Sequence, residues 1–277
     1  MVLTTDRRGP TAAAALLALC ALLAGLMTAT GPANADAGRT GTAASDTARR
    51  GASAPWPLRV PSVGDARQVV VVTAATWTST RGRLQLWQRD DYGTWTQVMA
   101  PVPARLGWSG FVKGQLRRQG SGKTPAGTFR LLRGFGLVDP GRTALPYRVV
   151  DGNDWWPYDP HDRATYYVMQ WRRPSSARWR TSWAEDLGAY RPEYRYAVVL
   201  DYNLPTGVTR TRSGERVATK PADTALGGGI FLHVNGDGPT AGCVSVSAPD
   251  MRRIVRWLDP AAGPVIAMGP RTWLPGR

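Results

Sequence analysis

Cysteine is nearly absent from this chain. Its 277 residues hold two, Cys20 and Cys243, with two histidines, His161 and His233, and lysine only at positions 113, 123 and 220. So few thiols exclude a disulfide framework. So few imidazoles and thiols leave a poor transition-metal set, and the carboxylates do not follow calcium-loop spacing, so neither a metal nor a cofactor is expected. Acid is scarce as well: 20 Asp and Glu face 35 Lys and Arg, a formal charge of +15. Nearly all of that base is arginine, which favours phosphate- or carboxylate-bearing polymers as partners; the plainer reading is a solvated surface. Long apolar runs are missing too, with one exception at the start of the chain.

That exception is the uncharged stretch from Ala12 to Met27, preceded by Arg7-Arg8 and followed by Pro32-Ala33-Asn34-Ala35. It is shorter than the roughly 20 residues that span a bilayer. Together these features read as a secretory signal peptide over residues 1–35, with a small-x-small cleavage site. Cys20 lies inside it and is discarded with it. Residues 36–60 are mostly Ala, Gly, Ser, Thr, Asp and Arg without apolar periodicity, a composition that cannot bury enough surface to offset ordering entropy, so a flexible tether is expected. The remaining stretch, 61–277, is long enough for one large domain.

Within that stretch the pattern is mostly β. Val69–Thr73 is a buried-strand run, and Arg83–Arg89 and Thr94–Met99 alternate on either side of the turn Asp90-Asp91-Tyr92-Gly93, which predicts antiparallel strands. Further strands are predicted at Gly127–Leu132, Tyr166–Trp171, Tyr196–Tyr202, Gly229–Val234, Cys243–Val246 and Pro264–Met268. One short helix is predicted after Ser247, with Asp250 three residues on. Met251, Ile254, Val255 and Leu258 share its apolar face, and Asp259-Pro260 ends it. Between Gly136 and Pro192 a long irregular insertion crowds Trp155-Trp156, Tyr158, Asp159, His161 and Asp162 together. It is either a lid whose aromatics stack on substrate or a hydrophobic cluster that pins a loop. Gly120-Ser-Gly-Lys123-Thr124 imitates a phosphate loop, but its first glycine would fall at Arg117, and Pro125 stands where a helix should open.

The single mature thiol sits in the run His233-Val-Asn-Gly-Asp-Gly-Pro-Thr-Ala-Gly-Cys243-Val-Ser-Val. A strand carrying His233 to its end, a turn-forming loop and a second strand opened by Cys243 would set imidazole beside sulfur. In such a pair the thiolate is favoured and the cysteine pKa is expected below its usual 8.5 or so. Glycine before the nucleophile would leave the backbone N–H groups of Gly242 and Cys243 free as oxyanion donors. His233 would act as base and then acid, with a main-chain carbonyl one candidate for the group that orients it. An inert buried cysteine is the structural alternative.

These residues resemble the active-site signature of the L,D-transpeptidases of bacterial cell walls, the YkuD-type domain. Thr240-Ala-Gly242-Cys243-Val244 carries the likeness together with His233, and Gly122-Lys-Thr-Pro125-Ala-Gly127-Thr-Phe129 resembles that family's strand-opening motif. The resemblance covers about 200 residues, from near Val69 to Met268. It implies a β-sandwich-like domain whose cysteine attacks peptidoglycan stem peptides. The bond attacked joins the third residue of a stem tetrapeptide to its terminal D-alanine, and the thioester passes to an amine of a neighbouring stem as a 3→3 cross-link. It further implies acylation of Cys243 by carbapenem-type β-lactams. Asn235, Thr240, Ser245, Trp155 and Trp156 are the expected substrate contacts. Two positions depart from the family pattern: Ala241 stands for a usual histidine, and Ser245 for an arginine usual two positions after the cysteine. Release of the thioester to water would make the same site an L,D-carboxypeptidase, and a defunct site would leave a wall-binding protein. The expected setting is secreted and wall-associated, the expected partners stem peptides and anionic wall polymers, with no nucleic acid and a monomeric state.

Overall fold

The computed structural model describes residues 61–172 and 177–274; the expected signal peptide and the expected tether lie outside the described residues. The strands run β1 (Gln68–Ala74), β2 (Arg81–Arg89), β3 (Trp95–Arg105), β4 (Phe111–Lys113), β5 (Thr124–Gly136), β6 (Tyr147–Val149), β7 (Trp155–Pro157), β8 (Ala184–Asp186), β9 (Ala197–Leu200), β10 (Thr206–Arg210), β11 (Arg216–Lys220), β12 (Phe231–Val234), β13 (Val244–Val246) and β14 (Val265–Pro270). One α-helix, α1 (Ala248–Trp257), lies between the last two strands.

Ten of these strands form one sheet in the order β14-β1-β2-β3-β13-β12-β9-β5-β4, with β6 beside β5. Strand β5 joins the two faces of the sandwich. Its first half pairs with β14 (Ile266 against Phe129) and its second half with β9 (Phe135 against Ala197), so the sheet closes on itself. A register shift between Leu131 and Arg133 marks where β5 turns from one neighbour to the other. Val70, Val72, Leu84, Leu86, Leu232, Val244, Val246, Ile266 and Met268 point into the enclosed core.

Helix α1 is built as the sequence predicts. The Ser247 hydroxyl caps it by accepting the Asp250 N–H at 3.3 Å, and Met251, Ile254 and Val255 are fully buried against the same core. Burying three such side chains is worth about 2 kcal/mol each.

The predicted strand at Tyr166–Trp171 is not one: residues 161–167 form successive turns, and Gln170 makes only a single bridge to Trp155. The cause lies just upstream. Asp159 and Asp162 accept the backbone N–H groups of His161 and Ala164, which holds the chain in turns. Tyr166 and Tyr167 then both enter the core instead of alternating. The hairpin β10–β11 was not legible either, because every residue of β10 is exposed and no apolar alternation marks it. The insertion itself is partly regular, with β7 and β8 paired. It packs over one outer face of the sheet through a second apolar cluster of Phe135, Trp156, Tyr166, Tyr167, Leu187, Tyr194 and Phe231.

Candidate active site

Alternation along β12 and β13 decides what faces that cluster. Leu232 and Val234 point into the closed core, so Phe231 and His233 point outward beneath the insertion. The two strands are parallel, with Leu232 opposite Val244 and His233 opposite Ser245. One residue back, Cys243 stands level with Phe231 and packs against the second cluster. Thiol and imidazole therefore occupy diagonal positions on one face of two adjacent strands, with Cα atoms about 8 Å apart by strand geometry.

His233 is 6 % exposed, and its Nδ1 lies 2.7 Å from the Val234 carbonyl oxygen. A carbonyl can only accept, so Nδ1 carries the proton and Nε2 keeps a free lone pair. A main-chain carbonyl thus orients the ring. Burial holds the imidazole at about 4, opposed only by the Val234 contact, so the ring is neutral at pH 7. Tyr194 stands edge-on to it with ring centroids 5.9 Å apart and donates its hydroxyl hydrogen to Glu185 Oε2 at 2.6 Å.

Cys243 is partly buried. Its Sγ accepts the Phe231 N–H at 3.3 Å and lies 3.5 Å from the Gly229 carbonyl oxygen, to which it donates. Burial pushes the thiol up to about 12; the Phe231 hydrogen bond and the charge of Arg117 pull it down, and Glu185 pushes it up. This corrects the expected thiolate: the sulfur is protonated under the insertion, because desolvation of the anion outweighs the donors around it. Glu185, partly buried, is itself raised by burial, against the lowering effect of its Tyr194 hydrogen bond.

The loop between the two residues is held by its own side chains. Thr240 donates its hydroxyl hydrogen to the Cys243 carbonyl oxygen at 2.6 Å and accepts the Gly242 N–H at 3.1 Å. Of the two expected oxyanion donors, Gly242 N–H is thus already engaged, while Cys243 N–H makes no hydrogen bond among the described residues. Ser245, fully buried, donates to Asn235 Oδ1 at 2.8 Å. Three expected substrate contacts, Asn235, Thr240 and Ser245, are therefore bound into the loop's own network. Trp156 is 1 % exposed and packs edge-on against Phe231 at 4.9 Å, so burial removes it from the substrate contacts. Trp155 lies against Trp179, with ring centroids 5.7 Å apart. Ala241 is exposed.

Gly242 has φ +137, in the region that favours glycine, and it has no room for a side chain. A Cβ there would stand 2.8 Å from the Lys123 carbonyl oxygen and 3.0 Å from Arg117 Nη2. The Gly120–Lys123 turn, read as a false phosphate loop, is thus the support on which the Gly242–Cys243 backbone rests. Arg117, Glu185 and Tyr194 were missed by sequence reasoning, since each lies far along the chain from Cys243 and no local pattern marks it.

The two motifs that resemble the YkuD signature are therefore neighbours in space, the strand-opening turn beneath the cysteine loop. Residues 77–266 match the YkuD family, described as the L,D-transpeptidase catalytic domain. The chain belongs to this family. The match runs from just before β2 to the start of β14 and contains His233, Cys243 and the whole insertion. A search of curated proteins finds no match. At family level the domain is of the L,D-transpeptidase type that acts on peptidoglycan.

Proposed function

We propose that the protein is an exported cysteine-dependent acyl transferase that forms 3→3 cross-links between peptidoglycan stem peptides. The observation that carries this reading is the placement of Cys243 and His233 on one face of β12 and β13, with Nδ1 spent on Val234 and Nε2 available. Cys243 Sγ attacks the carbonyl carbon of the third residue of a stem tetrapeptide while Nε2 takes the thiol proton. The Cys243 N–H supports the resulting oxyanion. As the C–N bond breaks, His233 returns the proton to the leaving amine and D-alanine departs, leaving a thioester. An amine of a neighbouring stem then attacks that thioester, loses its proton to Nε2, and the sulfur leaves as thiol.

Secretion, a wall-associated monomer and anionic wall polymers as partners belong to the same proposal. Support for the polymers comes from Trp171, 43 % exposed, over whose ring the guanidinium carbons of Arg148, Arg210 and Arg216 lie at 5.5, 5.5 and 4.3 Å. Among the described residues only Asp154 pairs with one of them, Arg148. Guanidinium groups gathered this closely with so little counter-charge suit phosphate or carboxylate oxygens.

The test is incubation of the mature protein with disaccharide-tetrapeptide and mass spectrometry of the products, alongside Cys243→Ala. Loss of D-alanine with a dimer supports the proposal. Loss without a dimer means hydrolysis of the thioester, and no change relative to Cys243→Ala ends the enzymatic reading. Adduct formation by a carbapenem at Cys243 is the expected companion result.

A further inference from the structure

Arg117 is 3 % exposed, yet it takes part in none of the ion pairs among the described residues. Its Nε donates to the Lys123 carbonyl oxygen at 2.9 Å and its Nη1 to the Leu226 carbonyl oxygen at 3.0 Å. The guanidinium carbon lies 5.8 Å from the centroid of the Tyr202 ring. Neutral carbonyls and a ring face solvate a guanidinium without cancelling its charge, and an uncompensated buried charge is expensive to keep. Its third nitrogen, Nη2, comes within 3.0 Å of the place a Gly242 side chain would begin, one residue from the sulfur. Position 245 supplies no cation here, since Ser245 is buried and bonded to Asn235.

We infer that Arg117 is a positioning residue whose fixed positive charge, braced by Lys123 and Leu226 behind the Gly242–Cys243 backbone, awaits the negative charge that forms on the sulfur. The inference rests on Cys243 as nucleophile. Among the described residues the guanidinium has no counter-ion in the resting protein, because that counter-ion is made only when the thiol loses its proton. The direction agrees with the effect of Arg117 on the thiol, which favours its ionised form. The backbone contacts hold the charge in place so that no reorganisation is needed at the moment of attack.

The experiment is the rate at which iodoacetamide alkylates Cys243, followed by mass spectrometry between pH 8 and 11, in wild type, Arg117→Gln and Arg117→Lys. It reads the charge without turnover, so it stands even if D-alanine is never released. Removing the charge should slow alkylation about tenfold at fixed pH, one unit of thiol pKa, while Arg117→Lys stays within about threefold of wild type. A residue that merely braced the loop would act with the opposite sign, because loosening the loop exposes the sulfur. A glutamine variant that reacts as fast as wild type, or faster, overturns the inference. Should that variant melt below the assay temperature, Arg117→Lys decides alone. Its profile should break at or below about pH 10.4, where lysine loses its charge, and wild type should show no such break. Matching profiles would overturn the inference equally.

Discussion

Acidification should destabilise this protein through one buried ring. In the unfolded chain the His233 imidazole titrates near 6.5, whereas in the fold burial holds it at about 4. Between those values the unfolded state binds a proton that the folded state does not. Stability from this group is therefore complete above about pH 6.5, falls as pH drops towards 4, and falls no further below that. The full difference is about 3 kcal/mol, and about 2 kcal/mol of it is lost by pH 5. Asp159, lowered to about 2 chiefly by its Arg180 hydrogen bonds, adds its own loss only below about pH 4. Urea midpoints at pH 7, 6 and 5 read the effect, with His233→Gln as the comparison. Wild type should lose about 2 kcal/mol more over that range than the variant, since Glu185, raised by burial, contributes with the opposite sign equally in both proteins. Only two histidines exist, and His161 is exposed, so the two imidazole C–H signals in a proton spectrum separate cleanly. Equal slopes in the two proteins, or a His233 signal with a midpoint near 6.5, would refute the reasoning.

The thiol itself, pushed up to about 12, should alkylate at pH 8 about a thousandfold more slowly than a free cysteine, with the rate rising about tenfold per pH unit; a plateau below pH 9 contradicts this. Replacing Glu185 by Gln removes a negative charge that opposes thiolate formation, and alkylation should speed up by about threefold; an unchanged rate would place that carboxylate outside electrostatic reach of the sulfur. Gly242→Ala forces a side chain into the Lys123 carbonyl oxygen and Arg117 at φ +137 and should lower stability by about 2 kcal/mol or more, read as urea midpoint or Tm. A variant as stable as wild type would show that the cradle yields.

The mostly-β fold was legible because most strands have one face on an apolar core, and their alternation prints that face on the sequence. Helix α1 was legible from its start, since Ser247, Asp250 and the Met251-Ile254-Val255 face act locally; only Leu258, expected on that face, is instead the C-cap. The failures have local causes as well. Asx turns at Asp159 and Asp162 override a β-prone aromatic run, and the exposed β10 carries no pattern to read. At the site, the juxtaposed thiol and imidazole were readable because ten residues join them. Their environment was not. The expectation of a lowered thiol pKa considered only the imidazole, whereas desolvation by Trp156, Tyr194 and Phe231 comes from segments 12 to 87 residues away. Gly242 was read as leaving its own N–H free, yet that N–H is bonded to Thr240, and the space a side chain would take is filled by a turn some 120 residues earlier in the chain.

A thiol near 12 and an imidazole near 4 constrain how the reaction can begin. Moving the proton from sulfur to Nε2 in the closed site spans about eight units, or about 11 kcal/mol before the two new charges attract each other. An ordinary turnover of about 10 per second corresponds to a total barrier of about 16 kcal/mol. Mutual attraction returns part of the proton-transfer cost, and the remainder counts against a resting thiolate–imidazolium pair. In the proposed reaction, attack on the carbonyl carbon that accompanies loss of the thiol proton limits this cost, because negative charge passes from the sulfur on to an oxygen within reach of the Cys243 N–H. Arg117 and Glu185 bear on this step from opposite sides of the charge balance. The first favours the anion, and the second, tied to Tyr194 beneath the insertion, opposes it.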